Sequence, residues 1–348
     1  LSDFEVCDAS EARFLPNQFY QQKLVMQFSK MKAAVYTRYG PAEVLKIKNI
    51  PRPEPSEHEI LIKIHATPVN IADVRLRKAD PFAVRLAFGL FRPKKPVLGG
   101  VFSGEVVQVG AKVKKFQIGD QVFGSTAIAM GAHAEFICLP ESGPIAIKPE
   151  KISHLEAAAI PFGAMSALYF LRKANIQPGQ NVLIYGASGA VGTAAVQIAR
   201  HFGAQVTGIC STSNLELVKS LGAQMVLDYT KDDLEKYAGQ FDVVYETVNK
   251  TPISFCQKML KKQGTMILGA ALLTKMLQGA WVAATSATKL KIGVGAETAE
   301  LAEYLKKMIE NGEIKPVIDR VYPLEGIQEA HQYVELGHKK GNVLISMA

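Results

Sequence analysis

The residues Gly186-Ala187-Ser188-Gly189-Ala190-Val191-Gly192 make a small-residue turn between an apolar run, Val182-Leu183-Ile184-Tyr185, and a stretch at helical spacing from Thr193 to Arg200 that ends at Gly203. Such a turn lets backbone N–H groups and the positive end of a helix face a pyrophosphate with few Cβ atoms in the way. Ala187 stands where the common G-x-G-x-x-G pattern has its first glycine. The same residues would also serve an α/β crossover that binds nothing, although bare crossovers rarely need small residues so placed. A second strand, Gln205 to Cys210, follows at the spacing of a βαβ unit. It runs into Ser211-Thr212-Ser213-Asn214, with no carboxylate before Glu216. A site for NAD usually ends this strand in Asp or Glu, which accepts hydrogen bonds from the ribose 2′-OH. An acid would repel a 2′-phosphate, whereas hydroxyls, an amide and the N-terminus of the next helix suit one. Ser-Thr-Ser-Asn is equally a good helix N-cap, and the two roles are compatible. The chemistry these residues offer is the binding of NADPH in preference to NADH.

The elements that must hold this turn read as an alternation of strands and helices. Leu155 to Ala174 is a helix that Pro161-Phe162-Gly163 divides in two, and Pro178-Gly179 turns the chain into the central strand. After Cys210 come a helix from Asn214 to Leu221, a strand from Met225 to Asp228, a short helix about Asp233 to Tyr237 and a strand from Asp242 to Glu246. Helix Ser254 to Leu260, strand Thr265 to Leu268, a loosely helical apolar stretch from Thr274 to Thr288 and a sixth strand, Lys289 to Val294, complete the series. This order predicts an α/β fold, a doubly wound parallel sheet with helices on both faces. Before it, from Met31 to about Lys148, short alternating runs between Gly and Pro breakers predict a β-rich unit. Its strands are expected at Ala33 to Tyr36, Ile60 to Ala66, Gly104 to Val109, Gln121 to Gly124 and His133 to Leu139. Within it, Asp73 to Pro96 is more helical and apolar, either a surface helix on the core or a flap over a substrate cleft. Thr298 to Asn311 reads as an amphipathic helix stopped by Gly312, and Val317 to Ala348 returns to short strands around a helix at Glu325 to Leu336.

The 348 residues suit about two domains of ~150 residues each. Cys7, Cys138, Cys210 and Cys256 are scattered, without C-x-x-C or zinc-type spacing, which argues against a disulfide framework and fits a reducing compartment. The formal charge of +8 is spread along the chain with acids interleaved, apart from short pairs such as Lys94-Lys95 and Lys339-Lys340, so it reads as a solvated surface that mildly favours anionic ligands and not as a nucleic-acid site. No apolar run approaches the ~20 residues a spanning helix needs, and no membrane partner is expected. Residues 1–30, acidic at Asp3, Glu5, Asp8 and Glu11, lack the pattern of a secretory signal or an Arg-rich transit peptide. They are expected to be a mobile extension, and the location to be cytoplasmic.

Several stretches together resemble the medium-chain dehydrogenase/reductase superfamily, in its zinc-free, quinone-oxidoreductase-like branch related to zeta-crystallin. They are MKAAVYTRYGPAEVLKI from Met31, V-x-VGAKVKKFQIGDQVFG from Val107 to Gly124, HAEFICLP from His133, EAAAIPFGAMSALYFL, VLIYGASGAVGTAAVQIARHFGA, LVKSLGAQMVLDY and a final HKKGNVLI. The resemblance implies a Rossmann sheet, residues 154–298, inserted into a GroES-like β-rich catalytic domain made of residues 31–153 and 299–348. It also implies a homodimer in which the strand after Thr288 pairs with its symmetry mate; on its own, that strand is an edge protected by Lys289 and Lys291.

Related alcohol dehydrogenases carry catalytic zinc, held by Cys, His or carboxylate. Where they have the first Cys ligand this chain has Asn70, and where they have Gly-His-Glu it has Gly99-Gly100-Val101. No metal site is expected, and His133, which opens a strand, reads as a structural or a surface residue. In the resembled branch, Asn70 lies near the nicotinamide, and a Tyr or Lys often sits five residues on, where this chain has Arg75. Arg75 can bind and orient charge but does not readily give up a proton; on its helix it would otherwise pair with Asp73 or a neighbour. Asn70 and Arg75 are therefore the catalytic candidates. The resemblance places the cofactor against Ala187, Ser188, Gly189, Ala190, Val191, Gly192, Ser211, Ser213, Asn214, Tyr229, Leu268, Gly269 and Asn342, with Lys219 as an added charge. The activity implied is NADPH-dependent hydride transfer to a quinone or an α,β-unsaturated carbonyl. The rival readings are an NADP-dependent alcohol dehydrogenase and a non-catalytic NADPH-binding protein.

Overall fold

A computed structural model describes residues 30–269 and 287–347, together with Gln278. Most of the N-terminal extension and most of the apolar stretch Thr274 to Thr288 lie outside the described residues.

The strands in chain order are β1 (Lys30–Val35), β2 (Lys46–Pro51), β3 (Glu59–Val69), β4 (Val101–Val109), β5 (Gln121–Ser125), β6 (Phe136–Pro140) and β7 (Ile145–Ile147). Then come β8 (Asn181–Tyr185), β9 (Gln205–Cys210), β10 (Met225–Asp228), β11 (Phe241–Glu246), β12 (Leu260–Gly269) and β13 (Lys289–Gly293). The last two are β14 (Ile318–Pro323) and β15 (Asn342–Ser346). β8 to β13 form one six-stranded parallel sheet in the order β10-β9-β8-β11-β12-β13. This is the doubly wound Rossmann order, and its crevice opens beyond the carboxyl ends of β8 and β11, where the strand order reverses. Val182, Leu183 and Ile184 in β8 are all fully buried, since helices cover both faces of the sheet.

A second, seven-stranded sheet runs β14-β15-β3-β4-β5-β7, with β6 also paired to β3. β15 lies antiparallel to β3, Val343 opposite Val69 and Ser346 opposite Ala66, so the C-terminus completes the β-rich unit built by the N-terminal half. Ile60, Ile62 and Ile64 alternate along β3 into an apolar cluster with Phe102, Val106 and Val122. The largest cluster lies between the helices Pro161–Lys173 and Ala190–His201 and the parallel sheet. Leu301, Ala302, Leu305, Met308 and Ile309 of the helix Ala299–Glu310 join it. Burying each Leu, Ile or Met side chain of this kind stabilises the fold by about 1.5–3 kcal/mol.

Several local expectations need correction. The chain enters β6 at Phe136 and not at His133, which is fully buried with Nε2 3.1 Å from Pro68 O. β2 and β7 were not foreseen: Lys-Ile-Lys-Asn-Ile-Pro is too polar, and Ile-Ala-Ile too short, to stand out by alternation. Asp233 to Tyr237 is a 3-10 turn, Leu234–Tyr237, started by Asp233 accepting from the Glu235 N–H at 3.2 Å. Proline at the first position of Pro161–Lys173 does divide the long helix, leaving His154–Ala158 as a separate turn. Among the described residues no helix is long and apolar enough to cross a membrane.

Candidate functional site

β8 delivers the chain to Gly186, where φ is 80°. The N–H groups of Gly186 and Ala187 both donate to Ile209 O at 3.0 Å, which ties the turn to β9. Ala187 is fully buried with its methyl beside Gly208, so only its backbone can face a ligand. A Cβ at Gly192 would come within 2.1 Å of Gly186 O, so the helix seats on the turn only with glycine there. At Gly189 the opposite holds: the nearest atom to an added Cβ is Gly186 O at 3.6 Å, and the space before it is open. Behind that space the helix Ala190–His201 begins, and the N–H groups of Ala190, Val191 and Gly192 have no acceptor within the helix. Free N–H groups facing open space in this way are suited to an anion such as a pyrophosphate.

The loop beyond β9 is a 3-10 turn, Thr212–Asn214, ahead of a short helix, Leu215–Ser220. Neither Ser211 nor Asn214 makes a side-chain cap bond, so the N-cap role read from sequence is not taken up. Asn214 turns inward instead, and its Nδ2 donates to Ser188 Oγ and to Ser211 Oγ, each at 3.1 Å. The amide thus joins the phosphate turn to the ribose loop. A carboxylate does approach this loop, from a strand that linear spacing could not reveal: Asp228 ends β10 opposite Cys210. Thr212 Oγ1 donates to its Oδ2, while the N–H and Oγ1 of Thr230 donate to its Oδ1 at 2.9 and 2.7 Å. These bonds, the Thr212 hydroxyl foremost, hold the Asp228 carboxyl below its usual range. Burial, with Asp228 adding to it, pushes the Cys210 thiol up to about 11.

The facing wall comes from elsewhere in the chain. Buried Glu246, at the end of β11, accepts the N–H groups of Val248, Asn249 and Lys250 at 3.2, 2.8 and 3.2 Å and folds that segment over the turn. From the C-terminal segment the Gly341 N–H donates to Ser188 O at 2.8 Å. Between the walls lies a cavity of about 560 Å3 that brings together Ser188, Gly189, Ser211, Ser213, Asn214 and Tyr229. Tyr229 is half exposed, its ring stacked on Tyr185 with centroids 6.5 Å apart. The cavity also holds Lys250, His338 and Lys339, which sequence reasoning did not assign to it. The signal available was the HKKGN run, whose basic pair Lys339-Lys340 had read as solvated surface. Lys219 is exposed and does not line the cavity. Another cavity, of about 390 Å3, is lined by Lys173, Lys261, Lys289 and Lys291 at the opposite ends of the strands, away from every predicted cofactor residue.

Leu268 is buried and Gly269 half-buried at the carboxyl end of β12. Asn342 is buried where β15 meets the phosphate helix; its N–H and Nδ2 donate to Val317 O at 2.9 and 3.2 Å. Asn70 is the buried cap of the helix Ile71–Lys78, and its N–H donates to Asp73 Oδ2 at 2.8 Å. Asp73 Oδ1 accepts the Gly99 N–H at 3.0 Å. Asp73 therefore does not pair with Arg75: both its oxygens serve backbone donors that fix Asn70 beside the Gly99-Gly100 segment. Arg75 is half-buried, and among the described residues no hydrogen bond or ion pair engages its guanidinium. It is Arg77, fully buried, that pairs, with Glu335 at 2.5 Å. Across the seam between the units, Ser125 Oγ lies 2.9 Å from Gly100 O and 2.6 Å from Glu297 Oε2, and burial raises the Glu297 carboxyl. The flap candidate packs Val84 and Phe88 inward and exposes Phe82, Leu86, Leu90 and Phe91.

Three buried acceptors, Asn70 Oδ1, Asn214 Oδ1 and Asn342 Oδ1, have no hydrogen-bond partner among the described residues. Leaving such an atom unpaired costs about 1–3 kcal/mol. All three sit on segments that border the crevice, and ribose hydroxyls or a carboxamide would satisfy them. The open cradle, the hydroxyl loop and these acceptors fit a dinucleotide phosphate. A zinc ion they do not fit: Gly100 and Val101 offer no donor. Among the described residues no three His, Cys, Asp or Glu side chains converge.

The sequence matches the family described as alcohol dehydrogenase GroES-like domain over residues 56–149 and that described as zinc-binding dehydrogenase over residues 221–345. It is 34% identical over 333 residues to the 2-methylene-furan-3-one reductase of Solanum lycopersicum, covering 91% of this chain and 79% of that one. The chloroplastic NADPH-dependent alkenal/one oxidoreductase of Arabidopsis thaliana is 31% identical, with 91% and 79% covered. Among solved structures, the quinone oxidoreductase from Coxiella burnetii superposes with a TM-score of 0.82 at 28% identity, covering 92% of this chain and 100% of that one.

Proposed function

Because the chain belongs to the medium-chain dehydrogenase/reductase superfamily, in its quinone-oxidoreductase-like branch, we propose that it is an NADPH-dependent reductase of α,β-unsaturated carbonyls or quinones. The observation that carries this reading is a dinucleotide cradle whose ribose loop presents Ser211 and Ser213 while the acid that approaches it from β10, Asp228, is engaged by Thr212 and Thr230. When bound, NADPH supplies the hydride. The nucleotide unit, residues 154–298 in our assignment, holds its phosphates on Ser188 to Gly192 and its 2′-phosphate on the Ser211 loop and Tyr229. Asn70, held rigid by Asp73, orients the nicotinamide through its free Oδ1. Arg75 offers a fixed cation toward negative charge developing on the acceptor oxygen, which stabilises it without transferring a proton.

That division of labour favours conjugated acceptors. Hydride addition to a saturated ketone concentrates charge on one oxygen that must be protonated at once, and no side chain at Asn70, Gly100 or Val101 can act as the acid. Addition to an enone or a quinone spreads the charge over a conjugated system, which one cation and hydrogen-bond donors can stabilise until water supplies the proton that completes the reduction. The exposed apolar side chains of Phe82, Leu86 and Phe91 give such acceptors an apolar approach.

Loss of NADPH absorbance, followed against quinones, enones, enals and saturated ketones, tests the reading. Turnover with the conjugated acceptors that survives chelators is expected. Turnover confined to ketones would favour an alcohol dehydrogenase, and cofactor binding without turnover a non-catalytic protein. We extend the proposal to a homodimer through β13, the edge of the parallel sheet; a monomer in sedimentation at micromolar concentration would refute that part.

A further inference from the structure

We propose that Glu297 stays a neutral acid at neutral pH and, through Ser125, positions the Gly99-Gly100 segment beside Asn70. The proposal rests on the reductase reading wherever turnover is what the experiment measures.

Glu297 lies between β13 and the helix Ala299–Glu310, on a segment pressed against the helix Pro161–Lys173: a Cβ at Gly295 would come within 3.2 Å of Ser166 Cα. Its carboxyl reaches across the seam to Ser125, the buried last residue of β5. Ser125 Oγ has three polar neighbours, the Ala127 N–H at 2.9 Å, Gly100 O at 2.9 Å and Glu297 Oε2 at 2.6 Å. The first is a donor. A serine hydroxyl has one proton to give, and Gly100 O and an ionised carboxylate are both acceptors, so a charged Glu297 leaves one of them facing a bare oxygen. A proton on Glu297 removes the conflict. The acid then donates to Ser125 Oγ, which also accepts the Ala127 N–H and donates its own proton to Gly100 O. Glu297 is half-buried, and burial raises its carboxyl with only the Ser125 bond acting against it. Charges on the surrounding elements are engaged or remote. Glu300 pairs with Arg172 at 3.1 Å and Glu303 with Lys115 at 3.6 Å, while Lys289 and Lys291 of β13 line the cavity at the opposite ends of the strands. His154 meets β5 at its other end, with Nε2 2.7 Å from Gln121 Oε1. The Gly99-Gly100 segment and the rest of β5 carry no charge. The Gly99 N–H is tied to Asp73 Oδ1, and Asp73 Oδ2 holds the Asn70 N–H, so whatever seats Gly100 also seats Asn70. When Glu297 ionises, the Ser125 proton turns to the carboxylate, the stronger acceptor. Gly100 O is then left against a lone pair, and the segment shifts away from Ser125.

The ionisation is read without cofactor. The infrared difference between wild type and Glu297→Gln at about pH 7 should contain the carbonyl band of a protonated carboxyl, which fades as the pH is raised to about 9.5. NADPH turnover with a quinone would then be followed from about pH 6 to about pH 9.5 in the wild type, Glu297→Gln and Ser125→Ala. The bond from Ser125 to Gly100 O corresponds to about two- to tenfold in rate. Wild-type kcat should fall by that factor as Glu297 ionises. Glu297→Gln, whose amide donates to Ser125 as the acid does, should match the wild-type rate at about pH 6 and hold it. Ser125→Ala, with no hydroxyl to share, should be slower by the same factor at every pH. A carboxylate spectrum at about pH 7 would overturn the neutral acid. Equal pH profiles in wild type and Glu297→Gln, or Glu297→Gln as slow as Ser125→Ala, would overturn the positioning role. Wild-type protein that turns over no acceptor would defeat the reductase reading instead. The infrared band and the unfolding midpoint then decide the seam by themselves: an acid raised by folding loses stability as the pH rises through its folded value, so the wild-type midpoint should fall relative to Glu297→Gln.

Discussion

Placing Asp at Ser211 tests how the site tells its cofactors apart. Ser211 is half-buried on the cavity wall, its Oγ 3.1 Å from Asn214 Nδ2 and 3.4 Å from Ser213 Oγ. Its side chain makes no cap bond to the turn it precedes, so the substitution removes none and should leave the unfolding midpoint nearly unchanged. On the proposed reading, a carboxylate there stands beside the 2′-phosphate. Repulsion between two unit charges ~4 Å apart costs roughly 1–4 kcal/mol for effective dielectrics between water and a protein surface. Lys250 and Lys339 share the cavity and offset part of that cost. The NADPH dissociation constant should therefore rise about five- to fifty-fold, the lower half of the range. NADH has no such phosphate, and its 2′-OH gains an acceptor, so its affinity should hold or improve slightly. Titration of both cofactors by fluorescence at about pH 7, where Lys339 is charged, reads the two constants. Equal weakening of NADPH and NADH would show that this loop does not read the 2′-phosphate, and the reasoning from Asp228 and the hydroxyls would fall with it.

Two glycines of one turn should behave differently. Gly189→Ala places a methyl where nothing lies within 3.6 Å; it should fold normally yet weaken NADPH and NADH alike, about tenfold or more, by filling the pyrophosphate space. Gly192→Ala drives a methyl to 2.1 Å from Gly186 O, so it should lower the thermal midpoint first, and a Gly192→Ala protein as stable as wild type would contradict the close approach. A third expectation concerns acid stability. His154 lies against His65, with ring centroids 4.4 Å apart, and its Nδ1 is 2.7 Å from Ser103 Oγ. Burial, then His65 and Lys148, pushes it down to about 4. The unfolded chain, with a His pKa of about 6.5, takes the proton first, so stability is intact above that pH and is lost as the pH falls toward 4. The full shift corresponds to about 3 kcal/mol, which the partial exposure of the ring reduces to about 1–2 kcal/mol. His154→Gln should flatten denaturant-derived stability between about pH 7 and pH 5, and an unaltered slope would assign the acid sensitivity to other groups.

The amino-acid sequence by itself determined the parallel sheet and the place of the phosphate turn. Apolar runs such as Val182-Leu183-Ile184, alternating with helices over short loops, have one economical packing. A small-residue turn at the end of the first such strand faces the crevice whatever the rest of the chain does. The amphipathic helix beginning about Thr298 and the break of Leu155 to Ala174 at Pro161 were legible for the same reason, since each signal acts on its own neighbours. Contacts between segments distant in the chain were decided only by the tertiary structure. Asp73 was free to pair with Arg75 until the fold brought the Gly99 N–H to it. Asp228 looked remote from the ribose loop until β10 lay beside β9, and its charge was then taken up by Thr212 and Thr230. Lys339 read as surface because its place on the cavity wall depends on β15 pairing with β3 and on Gly341 meeting Ser188, contacts spanning most of the chain and nearly half of it. Local periodicity records which face a residue turns to the core. Which distant donor or charge it meets there depends on strand order and register, set by the packing of the whole chain.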